Sequence, residues 1–151
     1  MIEYTVKVCS DGAKAWYLNG KLHREDGPAV EYSNGNKYWY LNGELHREDG
    51  PALEYSSGYK EWYFDGKRHR EDGPAIEYSN GTKEWCLNGK RHREDGPAIE
   101  YSNGYKAWHL NGEKLTEEEF NTRMKPKPSC NDVEGKIIMV DGKQYKLTEV
   151  E

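Results

Sequence analysis

The chain has 151 residues, 34% of them apolar and 32% charged, with a mean hydropathy of −1.13. That balance argues against a thick globular core, while an aromatic content of 13% argues against disorder, since disordered chains are poor in rings. The net charge of −5 gives no support to nucleic-acid binding, and no apolar run approaches the ~18 residues of a membrane span.

Residues 1–10 lack the basic-then-apolar pattern of a secretory signal. The three cysteines, Cys9, Cys86 and Cys130, are odd in number and form no Cys-x-x-Cys pair. Neither a disulfide framework nor a zinc site is expected, and a reducing cytoplasm is the expected setting.

From Ala13 onward the chain repeats. Trp16, Trp39, Trp62, Trp85 and Trp108 fall 23 residues apart, and Gly20, Gly43, Gly66, Gly89 and Gly112 keep the same step. A fixed period of this size marks a repeat architecture. Each repeat reads as two strands. One covers residues 29–32, followed by the turn Ser33-Asn34-Gly35, and the second covers residues 36–41 and ends at Asn42-Gly43. The Gly and Pro density leaves no room for an amphipathic helix. Near-identical repeats in an antiparallel meander need an even strand count, so the stretch Gly-Lys-Arg-His-Arg-Glu-Asp-Gly-Pro reads as a connection or a short extension of the hairpin. A solenoid would stack identical Arg, Glu and Asp at ~4.8 Å, which like-charge repulsion disfavours; two strands per repeat space them at ~10 Å. Five hairpins then make a sheet on the order of 50 Å long.

The fifth repeat replaces the His-Arg-Glu-Asp run with Lys-Leu-Thr-Glu-Glu-Glu-Phe, residues 114–120. Thr116 and Glu119 form a capping box, which predicts a short helix covering the end of the array. Residues 125–134, which include Lys-Pro-Lys-Pro-Ser, read as a linker, and residues 135–151 as a separate hairpin around Asp141-Gly142. The predicted fold is therefore all-β: an elongated single-layer antiparallel meander of repeated hairpins over residues 1–112, a capping helix in 113–124, and a terminal hairpin.

Period 2 sorts the second strand into two faces. Lys37, Trp39 and Leu41 share one, and it barely varies between repeats. The expectation is a core of Trp packed on Leu or Phe, with the Lys stem along the ring. The frame is then Trp16, Trp39, Trp62, Trp85 and Trp108 together with His23, His46, His69 and His92. The opposite face varies: it carries Tyr38, Tyr40, Tyr59, Glu61, Tyr63, Glu84, Tyr105 and His109. Shared residues build a repeat frame and differing ones are free to fit a partner, so this Tyr-rich face is the expected binding surface. Ordinary cross-strand Tyr pairing that stiffens a thin sheet is the alternative.

Taken once, His-Arg-Glu-Asp has the makings of an active site. Four equivalent exposed copies do not converge on one pocket, and no phosphate loop accompanies them, so no catalytic residue, cofactor or metal site is expected. Histidines ~10 Å apart cannot share an ion with bonds near 2 Å. Asp-Gly-Pro reads as turn chemistry.

The run at residues 85–104, Trp-Cys-Leu-Asn-Gly-Lys-Arg-His-Arg-Glu-Asp-Gly-Pro-Ala-Ile-Glu-Tyr-Ser-Asn-Gly, resembles the MORN repeat. The likeness covers roughly Ala13 to Gly112. Trp to His is one residue longer than the common pattern, and Arg-Glu-Asp is inserted before Gly96, as in MORN-like repeats of phage and giant-virus proteins. The resemblance implies a single-layer sheet used for binding or scaffolding. It also implies a phage-encoded inhibitor that docks on and blocks a host protein, such as a defence nuclease or CRISPR effector, in the host cytoplasm. The alternatives are a peripheral lipid-binding scaffold, which net charge disfavours, and a nucleotide-signal binder, which a flat sheet does not obviously accommodate.

Overall fold

A computed structural model describes residues 3–125, 135–140 and 142–146. The chain divides into two compact units, Met1–Phe120 and Asn121–Glu151. The first unit holds the antiparallel hairpin array, and the second holds the hairpin Ile137–Val140 with Lys143–Lys146.

The second repeat shows how the array is built. Its first strand is Val30–Glu31. Gly35, at φ 90°, closes the turn that follows, where Tyr32 N–H donates to the Asn36 carbonyl at 2.9 Å. The second strand comes in two halves, Lys37–Tyr38 and Tyr40–Leu41, separated by Trp39. The first half pairs with Val30–Glu31 and with Leu53–Glu54 of the next repeat. The second half pairs with a third strand, Glu44–Leu45. Asn42 and Gly43 both sit at positive φ, 53° and 90°, which is the two-residue hairpin turn that Asn-Gly favours.

Trp39 is where the ladders change over. Its N–H donates to the Ala52 carbonyl of the next repeat at 2.8 Å, and its carbonyl accepts from His46 N–H at 3.2 Å. The third strand of each repeat also bonds forward. Arg24 N–H donates to the Tyr40 carbonyl at 3.0 Å, and Gly43 N–H donates to the Leu22 carbonyl at 2.8 Å. The array is therefore two ladders side by side that share the second strand. Each ladder gains two strands per repeat, so parity holds, but the expected connection contains a real strand.

Two ends differ from the repeats. At the start, Tyr4–Val8 pairs with the whole of Lys14–Leu18, an edge strand that the repeat pattern does not reveal. At the far end, Glu113–Leu115 is a strand paired with Lys106–Leu110, and the helix runs only over Glu117–Met124. The capping box forms: Thr116 N–H donates to Glu119 Oε2 at 2.8 Å, and Glu119 N–H donates to Thr116 Oγ1 at 3.2 Å. Phe120 is its one buried side chain. Apart from Lys125, the expected linker lies outside the described residues, as does Asp141 of the terminal turn.

The register fixes both faces of the first ladder. One face alternates Lys14, Glu31, Lys37, Glu54, Lys60, Glu77, Lys83, Glu100 and Lys106. Every charge has an opposite charge directly across from it, an arrangement contributing roughly 0.2–1 kcal/mol per pair. The other face alternates Val30, Leu53, Ile76 and Ile99 with Tyr38, Glu61 and Glu84. This is the buried side: Ile76 and Ile99 are 1% and 2% exposed. The expected polarity of the sheet is thus reversed. The Trp face is half-open, with no Trp fully buried, and the core lies opposite it.

Candidate functional site

On the Trp face each His-Arg-Glu-Asp-Gly-Pro-Ala run folds the same way. Arg47 Nε donates to Asp49 Oδ1 at 2.8 Å, and its Nη1 donates to the Pro51 carbonyl at 3.2 Å and to Glu54 Oε1 at 2.9 Å. Its guanidinium lies over the Trp39 ring at 4.0 Å. Arg24, Arg70 and Arg93 repeat this on Trp16, Trp62 and Trp85. The cation on the ring is therefore the motif arginine, not the strand lysine, which faces the charge ladder instead. The motif glycine makes room for it: a Cβ at Gly50 would sit 2.8 Å from Arg47 Cζ.

The histidines tie successive repeats together. His23 Nδ1 accepts the backbone N–H of Asn42 at 3.0 Å, and His69 and His92 accept from Asn88 and Asn111 at 3.1 and 3.0 Å. His46 accepts from Asp65 N–H at 3.2 Å. For His23 and His92 the accepting Nδ1 places the ring proton on Nε2, whereas His46 Nδ1 also stands 2.8 Å from Asp65 Oδ1. Each donor is the positive-φ residue of the next hairpin turn, φ 46–53°. The imidazole thus satisfies a backbone donor at the tightest point of the neighbouring repeat.

Asp26, Asp49 and Asp72 are held below the ordinary carboxylate value of 3.8, first by the hydrogen bond from their arginine and then by its charge. A carboxyl lowered on folding adds stability that is complete above its unfolded value and is lost as pH falls through the folded one. The aspartate contribution is expected to be constant above pH ~5 and to fall away below pH ~4, so that in this acid range the urea midpoint drops less steeply in the Asp49→Asn/Asp72→Asn variant. Urea titrations across that range check it.

What this frame leaves unspent is a row of grooves. The central one has Trp62 and Phe64 as its floor, with Glu48 and Asp49 on one wall and Glu71 and Asp72 on the other. Its volume is about 950 Å³. The groove before it sets Trp39 and Leu41 between Glu25 and Glu48, in about 750 Å³. The groove after it sets Trp85 and Leu87 between Glu71 and Glu94, in about 590 Å³. A smaller fourth groove, against Trp16, is bounded by Tyr4 of the edge strand. These volumes fall in the ~300–1,000 Å³ range of ligand clefts. Glu48 and Glu71 are 81% and 86% exposed, whereas Arg47 and Arg70 are near 20%. The cations are sunk in the frame and the carboxylates stand on the rims.

The predicted binding residues lie on the other side. Glu61, Glu84 and His109 are buried, and Tyr38, Tyr40, Tyr59 and Tyr63 are half-buried; Tyr105 alone of the eight is exposed. Glu61 accepts from the hydroxyls of Tyr59 and Tyr63 and from Arg68 Nε at 2.7 Å. Glu84 accepts from the Tyr78 hydroxyl and from Arg91 Nε, each at 2.9 Å. Burial, reinforced by Glu84, pushes the Tyr78 hydroxyl up to about 12. Burial lowers the His109 pKa. Tyr32, Tyr38, Tyr55, Tyr59 and Tyr78 form a continuous run of ring contacts with centroids 5.1–5.4 Å apart. Repeat differences here compensate one another internally: where Glu replaces Tyr38 as Glu61 or Glu84, Arg replaces Leu45 as Arg68 or Arg91. The expected exposure of these residues is corrected: the run of Tyr rings and the Glu61–Arg68 and Glu84–Arg91 pairs pack against one another and close this face.

Among the described residues no group of three or more His, Cys, Asp or Glu is assembled as a metal cage, and no helix is long and apolar enough to cross a membrane. The chain matches no protein-family model and no curated protein.

Proposed function

We propose that this chain is a non-enzymatic, protein-binding module built from MORN-like hairpins, and that it binds through the grooves of its Trp face. The observation that supports this most is repetition with a remainder. In every full repeat Arg, Asp, Gly, Pro and His are committed to the frame, while the motif Glu, 3.4–3.9 Å from its own repeat's His Nε2, stays largely exposed, and Phe64 stands open on the floor of the central groove. Aromatic floors with charged rims suit peptide segments, since rings supply area and carboxylates supply orientation. A module of this kind acts by occupying its partner's surface, the blocking role that the resemblance implies. Exposed carboxylates along the same face weigh against anionic lipid headgroups as partners.

Panning a random-peptide library on the immobilised chain tests the reading. Enriched peptides are expected to lose binding to Phe64→Ser/Leu87→Ser, in which two exposed or half-exposed floor residues become polar. No enrichment, or peptides indifferent to that variant, would count against it, as would sedimentation with anionic vesicles at physiological salt.

A further inference from the structure

We infer that the occupant of the grooves is a polyproline-II segment carrying Lys or Arg at every third residue. This rests on the groove reading above and adds the partner's conformation and charge.

Each ladder advances two strands per repeat, so successive grooves stand ~9.6 Å apart. A polyproline-II helix returns to the same face every three residues at 3.1 Å each, or ~9.3 Å. The mismatch is ~0.3 Å per groove and ~1 Å over three steps. An extended β-strand returns to one face every ~6.6 Å and falls out of phase by the first step. An α-helix returns after two turns, ~10.5 Å, and drifts ~2.7 Å over the same three steps.

The grooves lie on the face of the ladders, where the second-strand N–H and carbonyl groups already pair on both sides. In the three grooves over Trp39, Trp62 and Trp85 the paired strands leave no edge for strand addition. A polyproline-II backbone forms no internal ladder and remains solvated, and such segments dock on aromatic-lined surfaces.

The walls of the central groove carry Glu48, Asp49, Glu71 and Asp72 against Arg47 and Arg70, four negative charges less two positive, a net of −2. Both arginines are spent on the frame. A ligand cation in each groove would meet carboxylates on two sides.

Calorimetric titration of the full chain with synthetic peptides tests this. The probe is (Lys-Pro-Pro)4. Two controls hold four lysines at other spacings, every second residue and every fourth, and (Glu-Pro-Pro)4 reverses the charge. The probe is expected to bind saturably at 0.15 M salt, roughly tenfold or more tighter than either spacing control, with no binding by the Glu peptide. Glu48→Gln/Glu71→Gln, folded by circular dichroism, is expected to lose at least that tenfold preference. Equal binding by the three lysine peptides would mean nonspecific attraction of a polycation and would overturn the inference. No binding by any of them would overturn it too. If library panning still yields groove-dependent peptides, the protein-binding reading survives that failure.

Discussion

Arg68→Leu is expected to destabilise the array by about 2–4 kcal/mol, because it strands a buried carboxylate. Glu61 is 5% exposed and, among the described residues, is ion-paired with Arg68 alone, through Nε at 2.7 Å. Removing one partner of a buried pair costs about 3–5 kcal/mol, and the near-half exposure of Arg68 lowers the figure here. The tyrosine hydroxyls of Tyr59 and Tyr63 remain on Glu61 but cannot neutralise it. The triple variant Tyr59→Asn/Glu61→Tyr/Arg68→Leu installs in the third repeat the set Asn36, Tyr38 and Leu45 that the second repeat already uses. It is expected to recover most of the loss, despite carrying three changes. Urea denaturation of wild type, single and triple variants measures both effects. A triple variant as unstable as the single one would mean that the repeat differences are not internally compensated.

The second large effect is expected at the motif arginine. Arg47→Ala removes two hydrogen bonds to carboxylates, one to the Pro51 carbonyl and the stack on Trp39. Asp49 is 84% exposed and rehydrates freely, so the loss falls mainly on Glu54, Pro51 and the ring. Charged hydrogen bonds contribute ~1.5–3 kcal/mol and a cation on a ring ~0.5–2, which places the combined cost at about 2–3 kcal/mol. Arg47→Lys is expected to recover less than half. An ammonium is a point charge and cannot span Asp49, Pro51 and Glu54 while lying flat on an indole. Urea midpoints for the two variants decide it: a lysine that restores wild-type stability would show that charge alone matters at this position.

The hairpin meander is legible in the sequence because its carriers are local. The 23-residue step of the Trp row and the Ser-Asn-Gly turns determine strand direction without reference to distant residues. The third strand is legible too, in Asn42-Gly43, since Asn-Gly between strand-like residues is a hairpin signal; taking it as a strand end hides Glu44–Leu45 and with it the second ladder. The faces are harder. Trp39 and Leu41 look like a core stripe, and only the position of Arg47, eight residues further on and folded back over the ring, makes that face the open one. Once the Tyr rings and the Glu61–Arg68 and Glu84–Arg91 pairs pack together on that face, most of the variable residues become internal. One sequence signal points there: Glu61 and Glu84 are each followed seven residues later by Arg68 and Arg91, where Tyr38 is followed by Leu45. Variation in a repeat protein can therefore record internal compensation as well as partner choice.

Binding through the Trp face, as proposed, is open to direct observation by titrating (Lys-Pro-Pro)4 into the isotope-labelled chain and following the indole N–H signals of the five tryptophans. Trp39, Trp62 and Trp85 are expected to shift together and saturate at one peptide concentration, while the amides of Glu61, Glu84 and Ile99 stay in place. Shifts confined to the buried-face amides, or to Ile137–Val140 of the terminal hairpin, with the three indoles unmoved, would contradict it.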